Sequence, residues 1–119
     1  MGRDKCLWEH VFVTSQGTAH GRFSRSIAMR NVSQAELAAR ELGRLSLADA
    51  LQLAVLYAEA GDRKFERAAV RWLGRLLEER PLVLSEVRWA CEWLEQLTGE
   101  EAGLAAGSLG GLLHSRWQR

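Results

Sequence analysis

The chain is poor in the residues that interrupt or staple a fold. It has one proline, Pro81, and two cysteines, Cys6 and Cys91. Proline lacks a backbone N–H and breaks helices, so nearly the whole length is left free to be helical. Two cysteines cannot build the disulfide framework of a small secreted domain, which fits a reducing compartment, and a cytoplasmic location is expected. No run of about eighteen apolar residues occurs, so no membrane partner or spanning helix is expected. Met1-Gly2-Arg3-Asp4-Lys5 is charged and leads into no apolar segment, so no secretory signal is expected either. An excess of one charge is also missing. The net charge of +1 gives no global field toward nucleic acid or an anionic surface, and any such binding must rest on a local patch. Lysine stands only at 5 and 64, so the basic residues are nearly all arginine, the side chain suited to bidentate pairing with carboxylate or phosphate.

Signatures of catalysis are lacking as well. The sequence has no nucleophile elbow, no Walker loop, no dinucleotide fingerprint after a strand and no HExxH pair. A non-enzymatic protein without catalytic residues or cofactor is the expectation. Metal is not expected, although Cys6, His10 and His20 come nearest to a ligand set; their spacing fits no zinc pattern and a fourth ligand is not evident.

What is present is helical pattern. The chain has 119 residues, with 47% hydrophobic and 26% charged, as in an ordinary single globular domain. Its most regular stretch is Asp62 to Pro81. Phe65, Ala68, Ala69, Trp72, Leu73, Leu76 and Leu77 recur at steps of three and four, one buried stripe on a helix. Asp62 is placed to cap the start and Pro81 to stop the helix near Arg80. On the other side Arg63, Arg67, Arg71 and Arg75 step by four and form a basic ladder. Arg71 has a second expected setting, partly buried against an acid such as Glu41 or Glu59.

The other segments follow in order. Residues 1–21 form an expected N-terminal arm. Leu7, Trp8, Val11, Phe12 and Val13 are strand-like in composition, and Thr14 to Gly21 reads as a loop. The arm is expected to pack through Trp8 and Phe12. Residues 22–119 form the expected helical domain. Phe23 to Arg30 is a short helix ended by Asn31. Ser33 to Leu42 is the next, with Ser33 and Glu36 as a capping box, Leu37, Ala38 and Leu42 inward, and Gly43 as its C-cap. Ser46 caps a helix from Leu47 to Ala60 that is apolar over most of its circumference and therefore buried on several sides. Gly61 closes it, and the central helix follows at once as a tight hairpin. Ser85 is expected to cap a helix from Glu86 to Leu97 with Val87, Ala90, Cys91, Leu94 and Leu97 as its stripe. A last helix starts near Glu100-Glu101 and is weakened by Gly103, Gly107, Gly110 and Gly111, so fraying after Leu109 is expected.

The fold class expected is therefore all-α, with five or six helices in antiparallel hairpins, arranged as a compact bundle or a short tetratricopeptide-like array. Leu45-Ser46-Leu47 is echoed by Leu84-Ser85 about 39 positions on, within the range of helical-pair repeats. Leu56 to Asp62 looks like the turn between the helices of a tetratricopeptide repeat.

Two surfaces carry the functional expectation. Trp89 and Trp93 stand one turn apart beside Arg88, and with Trp8 and Trp117 they make more indole than a small bundle needs. Large aromatics carry binding energy at interfaces. The alternative is a wide apolar face buried in the monomer. The second surface is the arginine ladder, able to bind phosphates or an acidic partner helix, or else to be a solvated face paired locally with Glu66, Glu78 and Glu79. Gln34 to Gly43 resembles the opening of a helix-turn-helix, but the helix after it offers Gln52 alone as a base reader and carries Asp49 and Glu59, which repel phosphate.

The features Phe23-Ser24-Arg25-Ser26-Ile27, Arg30-Asn31-Val32, Ala38 to Leu42, Leu47 to Leu51 and Phe65 to Trp72 resemble a group of small actinobacterial proteins of unassigned function. That resemblance implies a helical unit and brings no activity, cofactor or site residue. The expectation is a protein–protein interaction or scaffold module, bound to a protein partner or to itself. Its surface would comprise Trp89, Trp93, Arg88, Arg63, Arg67, Arg71 and Arg75. The alternative is a small DNA-binding regulator using the arginine-rich helix.

Overall fold

A computed structural model describes residues 18–114. The expected arm contacts of Trp8 and Phe12, the candidate ligands Cys6 and His10, and Trp117 lie outside the described residues. Within them every regular element is an α-helix, six in all. The described residues divide after Leu45 into two units.

The first unit holds α1 (Ala19–Ala28) and α2 (Val32–Leu42). Helix α1 starts earlier than its composition suggests, because the Thr18 hydroxyl accepts the Gly21 N–H at 3.0 Å and so acts as N-cap. Thr is as good a cap as it is a loop residue, and residues 19–21, expected in a loop, are helical. The turn to α2 uses Arg30 in the left-handed region, φ 58, while Asn31 is extended and its Oδ1 accepts the Gln34 N–H at 3.1 Å. Asn31 is thus the cap of the second helix, not the terminator of the first, and the Ser33–Glu36 box does not start it. Leu37, expected inward, is 49% exposed, while Ala35 and Ala38 are buried. Leu37 lies one residue, about 100°, from Ala38 on the helix, which turns it off the buried face. Arg22 on α1 forms an ion pair with Glu41 on α2. The hydroxyl of buried Ser26 donates to the Arg22 carbonyl at 2.8 Å.

The second unit holds α3 (Leu47–Ala60), α4 (Lys64–Glu79), α5 (Leu84–Gln96) and α6 (Ala102–His114). Ser46 Oγ accepts the Asp49 N–H at 3.0 Å, as expected of a cap. Leu47, Leu51, Ala54, Leu56 and Tyr57 are buried, which accounts for the nearly unbroken apolar sequence of α3. Gly61 closes α3 at φ 65, a conformation costly for a residue with a Cβ. Asp62 does the capping chemistry of α4 from one residue further out, its carboxylate accepting the Lys64 N–H at 2.8 Å while Arg63 holds the N-cap position. Arg80 is extended, and Pro81 follows.

Trp72 is the centre of this unit. It is fully buried, and its indole N–H donates to the Leu47 carbonyl at 2.8 Å, so the largest core side chain leaves no polar atom unpaired. Around it lie Ala69 and Leu76 of α4, Ala90 and Leu94 of α5 with Leu97 just past it, and Ala105, Leu109, Leu112 and Leu113 of α6. The stripe expected on α4 stands except for Leu77, which is 46% exposed. Helix α5 begins at Leu84 without a cap from Ser85; instead the Glu86 carboxylate reaches back to the Val83 N–H at 3.0 Å. Cys91, expected on the buried stripe, is exposed. It stands one residue from Ala90, which takes the buried position. Helix α6 does not fray at Leu109; it runs to His114, because Leu112 and Leu113 are buried one turn further on.

The helices touch in the pairs α3 with α4, α4 with α5, α5 with α6, and α3 with α6. Those four contacts close a ring, the arrangement of a four-helix bundle. A two-hairpin solenoid would set equivalent helices side by side, α3 on α5, and the backbones of that pair do not approach closely among the described residues.

Candidate interaction surfaces

Burial of Ala69, Trp72 and Leu76 decides what α4 shows on its far side. Arg67 and Arg71 lie one turn apart there, and Arg63 continues the line at the helix start. Between them Val70 is 62% exposed. Arg63, Glu66, Arg67, Val70 and Arg71 line one shallow depression. Among the described residues Arg63, Arg67 and Arg71 form no ion pair. Local pairing claims only Arg75, whose Nε meets Glu79 Oε2 at 3.0 Å on the same helix. The ladder therefore has three open rungs and one closed one. Arg71 is exposed, not buried against an acid, and Glu41 is held by Arg22 instead.

A groove of ≈150 Å³ runs along the α4–α5 seam, lined by Phe65, Ala69, Val70 and Leu73 on one side and by Cys91, Leu94 and Glu95 on the other. Cys91 thus marks the side of α5 that faces α4. Trp89 precedes it by two residues, about 200° around the helix, and so looks away from α4. It is 48% exposed. Trp93 is half-buried and packs on the core, with its ring centroid 6.4 Å from that of Trp89 and the planes tilted by 33°. The pair is therefore split: one indole is core, the other half-exposed. The structure brings Arg63, Arg67 and Arg71 together. Trp89 and Trp93 lie on the side of α5 turned from Cys91, outside the depression that Arg63, Arg67 and Arg71 line. Arg88 is exposed on α5.

A third feature escaped the sequence reading. Trp93 and Leu104 lie in a depression of ≈360 Å³ between α5 and α6, with Glu92, Glu95 and Glu101 around them. Leu104 is 68% exposed. Those three carboxylates form no ion pair among the described residues. The available signal was the i,i+3 pair Glu92 and Glu95, followed by Glu100-Glu101. Taken singly these read as a solvated helix face and a helix start; only the α5–α6 hairpin joins them.

His20 is exposed on α1. Among the described residues no group of three or more His, Cys, Asp or Glu could hold a metal ion. No described helix is long and apolar enough to cross a membrane. No family model, no curated protein and no solved structure matches the chain.

Proposed function

We propose that the chain is a non-enzymatic protein–protein interaction module, acting through exposed helix faces of its second unit with Arg63, Arg67 and Arg71 as the main contact. The observation that carries this reading is the set of open guanidinium groups around an exposed Val70. An apolar centre with a charged rim is the anatomy of an interface core. Guanidinium is weakly hydrated and pairs with carboxylates through two parallel bonds, so it gives up water for a partner more readily than an ammonium group does. Trp89, half-exposed near Arg88, offers a separate contact of the kind that dominates binding energy.

The test is chemical cross-linking and co-purification of wild type beside Arg67→Glu/Arg71→Glu. Both positions are exposed, so the thermal midpoint is expected to stay within a degree or two, by the usual size of surface effects. A protein held by wild type and released by the variant supports the reading. If everything wild type retains is retained equally by the variant and by Trp89→Ala, these faces are not the contact.

The same three arginines favour a second reading, binding of nucleic-acid phosphates by α4. Glu66 in the same depression opposes it, since a carboxylate there repels a phosphate backbone. The two part in a gel-retardation assay. Phosphate binding requires retardation of duplex DNA at low salt that weakens steeply as salt rises.

A further inference from the structure

We propose that the partner of the basic α4 face is the acidic α5–α6 depression of a second copy of this chain, so that copies associate head to tail. The proposal rests on the reading of these helix faces as protein contacts and adds the identity of what they contact.

The two surfaces are complements in three respects. Around Val70 the rim carries Arg63, Arg67 and Arg71 against the single carboxylate of Glu66. Around Leu104 and Trp93 the rim carries Glu92, Glu95 and Glu101, with no cation lining it. Each rim is open: neither those arginines nor those glutamates form an ion pair among the described residues. Each centre is apolar, with Val70 on one side and Leu104 on the other more than half exposed. A duplex supplies phosphates for the first surface but no apolar side chain for Val70 and no base for the second. A second copy supplies both, and it is present wherever the chain is.

The two surfaces belong to different helices of the second unit, the basic one to α4 and the acidic one to α5 and α6. On α5 the α4-facing side is marked by Cys91, and Trp93 lies two residues on, about 200° around. Glu95, on the α4 side of α5, borders both the seam groove and the acidic depression, whereas Leu104 and Trp93 lie away from the α4 arginines. Head-to-tail contact of this kind is heterologous. It generates a ring when the rotation closes and an open chain when it does not.

The test uses the purified full chain in sedimentation equilibrium over a wide concentration range. Mean mass is expected to rise with concentration at ~0.05 M salt. The association constant is expected to fall by about tenfold or more at ~0.5 M, where the Debye length drops below the spacing of unlike rims. Two variants isolate the surfaces: Arg67→Glu/Arg71→Glu leaves only the acidic one, and Glu92→Arg/Glu101→Arg leaves only the basic one. Each alone is expected to stay monomeric. Mixed in equal amounts they are expected to associate, because the acidic surface of one meets the basic surface of the other and the two reversed surfaces are also opposite in sign. Glutamine at the same positions removes charge without reversing it: each such variant alone is expected to associate less than wild type, and the two mixed are expected to form a one-to-one complex through the one surface that each retains.

Three results overturn the proposal. A wild type that stays monomeric throughout does so, and leaves the partner capture above to decide the broader reading by itself. A variant that still self-associates alone shows a contact between like patches. Variants that fail to combine when mixed, while wild type associates, place the contact elsewhere.

Discussion

Helices α4 and α6 lie in the same unit and contribute to the same core, yet they are helical for different reasons. Helix α4 is rich in Arg, Leu, Ala and Glu, is served at its start by Asp62, and stops before Pro81. Its propensity, caps and single apolar stripe agree, which is the consistency that makes a segment specify its own structure. Helix α6 carries Gly103, Gly107, Gly110 and Gly111 among its 13 residues, each costing about 1 kcal/mol against alanine. It has no charged residue inside to form i,i+4 pairs. It is held by burial of Ala105, Leu109, Leu112 and Leu113. One helix is written locally; the other is imposed by its neighbours.

The sharpest way to break that comparison is through the residue both helices share. Trp72→Ala removes a fully buried indole from the centre of the second unit and is expected to cost about 3–5 kcal/mol, seen as a fall in urea midpoint by far-UV circular dichroism. Trp72→Phe keeps most of the volume but loses the donor to the Leu47 carbonyl, and is expected to recover all but roughly 1–2 kcal/mol. Should the alanine variant unfold at the wild-type midpoint, the core is not built around α4.

Next in size is Leu109→Ala, which strikes α6 where its only support is packing. Leu109 is fully buried, and its truncation is expected to cost about 2–5 kcal/mol. Because α6 has little propensity of its own, amide exchange in α6 should accelerate more than in α4. Equal acceleration in both would mean that α6 is not the dependent partner.

The same distinction explains how much was legible from the residues. Helix α4, the hairpin at Gly61 and the cap at Ser46 are stated in adjacent residues, and each appears where the spacing puts it, with Asp62 acting one residue further out. Caps supplied by ambiguous residues were not legible. Thr18 and Asn31 suit a turn as well as a helix start, and only the packing of α1 on α2 selects the cap. Cys91 differs from Ala90 in volume more than in polarity, so a one-residue turn of α5 decided which was buried. The full length of α6 depends on Leu112 and Leu113 finding a core to enter. Of the surfaces, the α4 arginine face lies on one helix and follows from a four-residue step. The acidic depression needs two helices side by side and has no one-dimensional pattern.

A gain of stability should come from the glycines. A Cβ built on Gly107 meets no atom within 4 Å, so Gly107→Ala adds propensity without a clash. It is expected to raise stability by roughly 0.5–1 kcal/mol, read as a higher denaturant midpoint at an unchanged slope. The same replacement at Gly61 is expected to lower it by about 1–2 kcal/mol, because the left-handed φ there strains any residue with a Cβ. That opposite sign separates a glycine required by its turn from one merely tolerated within a helix. If Gly107→Ala destabilises, the open face of α6 is covered by something, and self-association would have to be measured before the number is interpreted.

The smallest effect bears on the arginine ladder itself. Arg75 and Glu79 form its one closed rung, with side chains 20% and 29% exposed. A pair of this kind on one helix is worth only a few tenths of a kcal/mol, and less as salt rises. A double-mutant cycle with Arg75→Gln and Glu79→Gln should return that coupling. The same cycle with Arg67→Gln and Glu66→Gln should return none, since no bond joins those neighbours. Stability of the isolated chain should hardly notice Arg67, Arg71 or Arg63. A face that contributes so little to its own fold, and leaves its charge unspent, is where a partner can act without competing against the core. A coupling at Glu66–Arg67 as large as that at Arg75–Glu79 would mean the rungs are already occupied, and would take away the reason for expecting a partner there.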